Sequence, residues 1–169
     1  MQNHIPRLLL SATGSDSGKT TMMLALLSAF QKSGVVVQSY KSGPDYIDPM
    51  FHEAVTHRPA YHTDPFFLQS DAMRKLVAAT AQQADLALIE GAMGFYDGIG
   101  QTSEASAYTV SQCLKTPAVL VVNPQKMGRS VAAICKGFLQ LEPHNRIVGF
   151  LLNRVRSGMA AYYLSLIHI

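Results

Sequence analysis

The stretch that decides the fold is residues 11–21, which read SATGSDSGKTT. An apolar run, residues 8–12, leads into this stretch, and a segment with helical spacing, residues 18–32, begins within it. Small residues at a strand-to-helix turn let consecutive backbone N–H groups face one concavity, and the helix N-terminus adds partial positive charge. The segment therefore predicts a phosphate-binding loop of the P-loop type.

Individual residues of this loop have the chemistry that phosphate binding needs. Lys19 is expected to reach the β- and γ-phosphates, and Thr20 to ligate Mg²⁺. The strict pattern has glycine six residues before the lysine, where this chain has Thr13, so the loop is a variant form. The alternative is a glycine-rich turn without a ligand. The residues predicted to contact the nucleotide here are Thr13, Gly14, Ser15, Asp16, Ser17, Gly18, Lys19, Thr20 and Thr21.

Outward from this loop, strand-like and helix-like segments alternate along the chain. The short apolar runs that predict strands are residues 8–12, 35–38, 86–89, 118–122 and 147–152. The segments with helical spacing are residues 18–32, 71–83, 105–114 and 127–141. Asp71 is expected to cap one helix and Gly34 to end another. The alternation predicts an α/β fold, a mostly parallel sheet with helices on both faces and ligands beyond the carboxyl ends of the strands.

Residues 41–65 lack regular periodicity and contain four prolines, so we expect a long ordered loop there. Loops of this length inside compact domains are usually functional.

Composition fits one domain with a well-filled core: 169 residues, 48% hydrophobic and only 15% charged. The net charge of +3 comes without a basic run of the kind that binds nucleic acid or a membrane, so neither is an expected partner. Cys113 and Cys135 are too few for a disulfide framework or a zinc site. Residues 1–7 show no signal-peptide pattern, and no stretch reaches the roughly 18 apolar residues that span a bilayer. We therefore expect a cytoplasmic protein.

Charged residues follow the second and third predicted strands. Lys41, Asp45 and Asp48 lie in a proline-containing segment suited to holding a metal and a polar substrate, although an ordinary turn with solvated acids is the alternative. Glu90 directly follows the third strand, as in the Walker B arrangement, where a carboxylate reaches Mg²⁺ directly or through water. An N-cap or turn acid is the alternative there.

Three segments together resemble the cobyrinic acid a,c-diamide synthase family: ATGSDSGKTT at 12–21, YKSGPDYIDPMFH at 40–52 and EGAMGFYDG at 90–98. The middle segment is the specific one, because many enzymes, dethiobiotin synthetase among them, share such a P-loop. The segments 117–123, 127–130 and 149–155 are also similar to that family. The resemblance covers essentially residues 7–158 and implies a P-loop NTPase fold like that of dethiobiotin synthetase.

The resemblance implies ATP-dependent amidation of the a and c carboxylates of cobyrinic acid, in cobalamin biosynthesis. The carboxylate is phosphorylated to an acyl phosphate, which ammonia released from glutamine then displaces. Lys19 and Lys41 are expected to offset charge on the transferring phosphoryl group. Thr20, Asp45 and Glu90 are expected to hold Mg²⁺, with the choice between Asp45 and Asp48 left open.

The same resemblance implies contacts with the macrocycle substrate and with the adenine of the nucleotide. A flat macrocycle edged with carboxylates would lie against Tyr46, Ile47, Asp48 and Asp97, with Asp48 and Asp97 also expected to take part in catalysis. Asn153 is expected to contact the adenine edge, although a turn asparagine is the alternative. His52, His57 and His62 recur at five-residue spacing, which is not that of a zinc site, and only His52 adjoins the predicted substrate segment.

Family members usually carry a second domain with a glutaminase cysteine and histidine. Neither cysteine here lies in a nucleophile elbow. We expect residues 1–158 to form the ATP-binding synthetase domain and residues 159–169 a truncated apolar end, with ammonia supplied by a glutaminase domain or chain that this sequence lacks. The oligomeric state is open, with a homodimer as one option.

Several rival functions stay open. Sister amidases acting on cobyric acid, hydrogenobyrinic acid or nickel-sirohydrochlorin share the phosphate chemistry and differ in the macrocycle. Dethiobiotin synthetase is a more distant enzyme rival, disfavoured by the segment 43–49. A partition-type ATPase switch, which dimerises on ATP and binds DNA, usually has a second lysine where this chain has Gly14.

Overall fold

The protein, described here by a computed structural model over residues 5–167, is a layered α/β domain. Residues 1–4, part of the segment without a signal-peptide pattern, and residues 168–169 of the predicted apolar end lie outside this description. The six strands within the described range are β1 (Arg7–Ala12), β2 (Val37–Lys41), β3 (Tyr61–His62), β4 (Leu86–Glu90), β5 (Ala118–Val122) and β6 (Ile147–Leu152). The helices are α1 (Lys19–Lys32), α2 (Ile47–Thr56), α3 (Ser70–Thr80), α4 (Ala107–Leu114), α5 (Ser130–Leu141) and α6 (Ala160–Ile167).

All strand pairs are parallel, in the order β3-β2-β4-β1-β5-β6. The predicted α/β class is therefore confirmed, and each of the five predicted strands is present. The second strand runs over Val37–Lys41 rather than 35–38, which brings Lys41 to its carboxyl end. In the sheet, Lys41 lies directly opposite Glu90, the last residue of β4. Two residues 49 positions apart are thus neighbours.

The sheet has a separate apolar layer on each face because side chains alternate along the strands. Leu9 of β1 packs with α3 and α4 on one face, through residues such as Met73 and Val110. Leu10, the next residue, packs with α1 on the other face, against Met23 and other apolar residues. This is the double covering that parallel sheets require.

A third cluster joins the end of the chain to the sheet. Tyr163 of α6 is buried with Val122, Val131 and Cys135. Its hydroxyl donates a hydrogen bond to the carbonyl oxygen of Met127 at 2.7 Å. Residues of the predicted apolar end therefore pack on the same domain. Among residues 5–167, no helix combines the length and apolar character needed to cross a bilayer.

The prediction of a long loop over residues 41–65 is wrong. The segment contains α2 and the two-residue edge strand β3. Pro49 is the third residue of α2, and the first-turn N–H groups of a helix have no intrahelical partner, so proline is tolerated there. Prolines flank the helix as well, and they mark its boundaries rather than exclude it.

The prediction of a helix cap at Asp71 is also wrong. The N-cap of α3 is Gln69, and Asp71 lies in the first turn, where its carboxylate pairs with Lys75 at 2.7 Å. Gly34, by contrast, follows the last residues of α1 with a φ of 76° and donates its N–H to the Gln31 carbonyl, as a helix-ending glycine does.

Candidate active site

The phosphate-loop segment connects β1 to α1 at the carboxyl edge of the sheet. Gly18 precedes α1 with a φ of 85°, and a Cβ built on it would lie 2.2 Å from Asn153 Nδ2. The left-handed conformation favours glycine there, and a larger residue would also displace the Asn153 amide. The Ser17 hydroxyl donates to the Gly14 carbonyl oxygen at 2.9 Å within the loop. The result is a compact turn that aims the N-terminus of α1 at the sheet edge.

A buried lysine at the end of β2 gathers Glu90, the last residue of β4, and two acidic residues that follow β2. The side chain of Lys41 is only 3% exposed, and its Nζ lies 2.5 Å from Asp48 Oδ2 and 3.5 Å from Glu90 Oε1. Asp45 Oδ2 is farther from Nζ, at 4.0 Å. Burying an ammonium group is unfavourable unless it is paired, and these carboxylates provide the pairing.

Thr20 joins the phosphate loop to this charged group. Its hydroxyl Oγ1 lies 2.8 Å from Glu90 Oε1 and 3.3 Å from Asp48 Oδ2. A threonine hydroxyl and two carboxylates from three different elements therefore converge on one point. The first turns of α1 and α2 and the end of β4 supply them.

Asp45 lies apart from this point of convergence. Its side chain is 43% exposed, and its Oδ1 accepts a hydrogen bond from the backbone N–H of Ile47 at 2.9 Å, at the start of α2. Of the two aspartates between which the sequence left the choice open, the structure brings Asp48 to Thr20. The predicted metal-binding role of Asp45 stays a prediction.

The ionisation of two groups of the site, fully buried Glu90 and half-buried Lys19, reflects these contacts. Burial alone would raise the pKa of the Glu90 carboxyl, but the His52 hydrogen bond, the Lys41 charge and the Thr20 hydroxyl hold the pKa below its ordinary value. Burial, followed by the charge of Lys41, lowers the pKa of Lys19, and nearby carboxylates counter this only in part. The site thus pairs the ionised Glu90 carboxylate with Lys41, and the ammonium group of Lys19 lies close to both.

Two predicted substrate residues, Tyr46 and Ile47, lie at the start of α2 with exposed side chains, Tyr46 at 72%. Asp97 lies on the segment after β4, where its Oδ2 accepts the N–H of Gly94 at 3.0 Å. A Cβ on Gly94 would be 3.4 Å from the Gly14 Cα, so this segment runs directly beside the phosphate loop. All three residues lie at the carboxyl edge of the sheet.

Asn153 follows β6 and contacts the phosphate loop. Its Nδ2 donates to the Ser17 carbonyl oxygen at 2.9 Å, and its Oδ1 accepts the backbone N–H of Arg154 at 2.9 Å. The second N–H of the amide and one lone pair of Oδ1 are not used by these bonds. The predicted adenine contact stays a prediction.

Sequence reasoning missed the place of His52 in this site. His52 is fully buried, and its Nε2 lies 2.9 Å from Glu90 Oε2. It lies four residues after Asp48 on α2, so both residues face the same side of the helix. That spacing is the signal that would have found it, had residues 47–56 been recognised as helical.

No cluster of three or more His, Cys, Asp or Glu side chains suited to a metal ion occurs within the described part of the chain. Mg²⁺ is usually held by only one or two carboxylates together with substrate phosphates, so such a cluster is not needed for it. Oxygen donors from Thr20, Glu90 and Asp48 are the hard ligands that Mg²⁺ prefers.

Comparison with known proteins identifies a matching family and named relatives. The family model described as the CobQ/CobB/MinD/ParA nucleotide binding domain matches residues 8–165. The chain is 45% identical over 152 residues to a cobyrinate a,c-diamide synthase of Priestia megaterium, a match that covers 89% of this chain and 33% of the relative. A hydrogenobyrinate a,c-diamide synthase of Streptomyces coelicolor is 40% identical over 154 residues, covering 90% of this chain and 32% of the relative. The chain thus spans about one third of the length of these curated relatives.

Solved structures share the fold at low sequence identity. Chloroplast FtsY from Physcomitrella patens matches with a TM-score of 0.61 and 19% identity, over 90% of this chain and 50% of that protein. The kinase domain of the Escherichia coli tyrosine kinase ETK matches with a TM-score of 0.57 and 17% identity, over 95% of this chain and 72% of that domain. At these identities the likeness concerns the fold alone.

Proposed function

The chain belongs to the CobQ/CobB/MinD/ParA nucleotide binding domain family. From this membership, and from the likeness to cobyrinate a,c-diamide synthases that the sequence segments predicted, we propose that it binds ATP and activates carboxylates of cobyrinate for amidation. Residues 1–158 would be the synthetase domain of a cobyrinate a,c-diamide synthase. The observation that carries this proposal is the convergence of Thr20, Asp48 and Glu90 around buried Lys41, next to the phosphate loop.

The reaction needs two group transfers. A substrate carboxylate oxygen attacks the γ-phosphorus of ATP, the bond to the β–γ bridging oxygen breaks, and an acyl phosphate and ADP form. Ammonia then adds to the acyl carbon, phosphate leaves with the C–O bonding electrons, and a proton is lost to give the amide. Since the first step transfers a phosphoryl group between two anions, positioning and charge compensation are what the protein must provide.

Lys19 and Lys41 would provide the charge compensation. Lys19 lies at the first position of α1, where the helix N-terminus also favours anions. Lys41 is fixed by its carboxylate partners and cannot swing freely. Backbone N–H groups of residues 13–18 would cradle the phosphates.

Mg²⁺ is the ion that the donor set fits. Thr20, Glu90 and Asp48 would hold it, with Asp45 as the further candidate from the sequence. When bound, the ion would neutralise charge on the β- and γ-phosphates. The role of the chain's own residues is to keep these oxygens at the edge of the phosphate loop.

The macrocycle would lie on the exposed side chains at the start of α2. Tyr46 and Ile47 present apolar surface beside the charged group, and exposed Met50 and Phe51 extend it along the same helix. Asp97 would face a ring-edge group from the opposite segment. Ammonia would come from a glutaminase domain or partner chain.

The test measures ADP release by the chain in Mg²⁺ and ammonium chloride, with cobyrinate or its a,c-diamide added. We expect cobyrinate to stimulate turnover and the a,c-diamide not to, because only the former offers the reacting carboxylates. Lys19→Ala should abolish turnover. Equal rates with and without every carboxylate tested would contradict the proposal.

Hydrogenobyrinate is the second candidate substrate, because the Streptomyces coelicolor relative carries that name at nearly the same identity. Adding hydrogenobyrinate in the same assay separates the two. A higher kcat/KM for hydrogenobyrinate than for cobyrinate would assign the chain to that substrate while leaving the phosphate chemistry unchanged.

A further inference from the structure

His52 is a buried histidine that no step of the proposed reaction uses. Its side chain is fully buried, and its Nε2 lies 2.9 Å from Glu90 Oε2. Its other ring nitrogen, Nδ1, is buried and has no hydrogen-bond partner among the described residues. Buried polar atoms are normally paired, so a buried imidazole with one unpaired nitrogen calls for a functional or structural explanation.

The two oxygens of Glu90 have different partners. Oε2 faces His52, whereas Oε1 faces the Thr20 hydroxyl at 2.8 Å and Lys41 Nζ at 3.5 Å. The last torsion of a glutamate side chain is soft, with broad energy wells. A hydrogen bond to Oε2 therefore fixes which oxygen points towards the phosphate loop and at what angle.

The direction of that hydrogen bond follows from the acceptor. An ionised carboxylate only accepts, so the proton must reside on His52 Nε2. A proton on Nδ1 would be a buried donor without an acceptor, which is the more unfavourable arrangement. The geometry thus selects the ring form with its proton on Nε2.

The backbone of α2 links this contact to the other carboxylate of the site. Asp48 and His52 are one helical turn apart, and Asp48 pairs with Lys41 while His52 pairs with Glu90. One rigid helix therefore sets the positions of both carboxylates relative to Thr20.

We propose that His52 is a positioning residue, which holds Glu90 with Oε1 directed at Thr20 so that these oxygens are ready for the cation of a bound nucleotide. The proposal rests on the proposed function, because it presumes that Mg²⁺ and ATP bind at this edge. It adds a residue outside the phosphate loop and outside the carboxylates to that site. Partners of this kind typically change metal affinity or activity roughly 10- to 100-fold when removed.

The test compares His52→Asn with His52→Gln in the whole chain. The amide nitrogen of glutamine can reach the place of Nε2 and keep the hydrogen bond to Glu90, whereas the shorter asparagine cannot. The matched control is His57→Asn. His57 is exposed at the C-terminal cap of the same helix in a left-handed conformation, which asparagine accepts readily.

The first readout is the affinity of the non-hydrolysable analogue AMP-PNP, measured by calorimetry in Mg²⁺ and again in EDTA. We expect His52→Asn to lose roughly tenfold or more of the affinity that Mg²⁺ adds, with the EDTA value unchanged. His52→Gln and His57→Asn should retain the Mg²⁺-dependent gain. Equal losses in Mg²⁺ and EDTA, or a His52→Gln variant that fails like His52→Asn while folded, would overturn the proposal.

The second readout needs neither nucleotide nor metal. Nitrogen-15 NMR of the imidazole in the unliganded wild-type chain should show His52 protonated at Nε2, and a ring protonated at Nδ1 alone would overturn the proposal even if both variants misfold. The two levels of failure are distinguishable. Absence of any Mg²⁺-dependent AMP-PNP affinity in the wild-type chain contradicts the proposed function, whereas a wild-type gain that survives His52→Asn contradicts only the role of His52.

Discussion

Lys41 is the residue on which the charged group of the site depends. Its ammonium is nearly excluded from solvent and lies within 4.0 Å of Asp48, Glu90 and Asp45. Such a group is a poor source of net stability but a strong determinant of geometry, because its members must stay together once buried. The carboxylates are therefore held near one another without a ligand.

Lys41→Met tests this dependence. Removing the cation leaves buried Glu90 and largely buried Asp48 close together without the ammonium that pairs with both, so we expect a loss of about 3–5 kcal/mol in the free energy of unfolding. Urea denaturation measures it, with exposed Lys75→Met on α3 as the control, expected to change stability by less than about 1 kcal/mol. A Lys41→Met chain as stable as the control would show that the pairing does not hold the site together.

Asp48 and Asp45 form a matched pair for testing the proposed cation site. Asp48 lies 3.3 Å from the Thr20 hydroxyl, whereas Asp45 is half exposed and accepts the Ile47 N–H. We expect Asp48→Asn to weaken Mg²⁺-dependent ATP binding at least tenfold, in the range of about 1.4 kcal/mol or more. Asp45→Asn should weaken it less than threefold. A larger effect of Asp45→Asn in the same titration would reverse the assignment.

At the scale of elements, helix α2 carries polar residues of the candidate site and also the exposed apolar residues beside them. The prolines within residues 41–65 made that segment look like a loop, yet Pro49 sits in the first turn, where it breaks no helical hydrogen bond. Asp48 and His52 then fall on one face, and Tyr46 and Ile47 lie exposed at its start. Recognising the helix was the step that the sequence pattern did not permit, since three of its large apolar residues, Ile47, Met50 and Phe51, face solvent.

Tyr40 ties strand β2 to helix α3. Its hydroxyl lies 2.7 Å from Thr80 Oγ1, and burial raises the pKa of Tyr40 to about 12. In the unfolded chain a tyrosine titrates near pH 10, so between pH 10 and about 12 the unfolded state is ionised while the folded state is not. The contribution of Tyr40 to the free energy of unfolding is therefore fully present below pH 10 and decreases as the pH rises from 10 to about 12.

Tyr40→Phe makes that dependence measurable. At pH 8 we expect the variant to be about 1 kcal/mol less stable, because one hydrogen bond is lost. By pH 11 the deficit should shrink by roughly 1 kcal/mol, since phenylalanine has no proton to release in the unfolded state. Urea denaturation at the two pH values gives both numbers. A deficit that grows with pH would contradict the raised pKa.

At the scale of the whole molecule, the features that local sequence patterns encode could be predicted. The contacts that depend on the order of strands in the sheet could not. The phosphate loop and the strands Ala118–Val122 and Ile147–Leu152 follow from runs of apolar and small residues. The pairing of Lys41 with Glu90 depends on β2 and β4 being neighbours, which no local pattern specifies. The edge strand β3 has only two residues, too few for periodicity to reveal.

The arrangement of the whole domain explains why its residues meet at one edge. In a parallel sheet the carboxyl ends of all strands lie together, so the last residues of β2 and β4 supply Lys41 and Glu90, and the segments after β1 and β6 supply the phosphate loop and Asn153. At this edge, we propose, the γ-phosphoryl group of ATP passes to a carboxylate of the macrocycle. That step is independent of any ammonia source.

Positional isotope exchange tests the claim most directly. ATP carrying oxygen-18 in the β–γ bridge is incubated with the chain, Mg²⁺ and cobyrinate without ammonia, and phosphorus-31 NMR follows the label. Reversible acyl phosphate formation lets the β-phosphate of bound ADP rotate, so the label should move into non-bridging β positions with cobyrinate and not with its a,c-diamide. A chain that binds ATP and cobyrinate but leaves the label in the bridge would contradict the account.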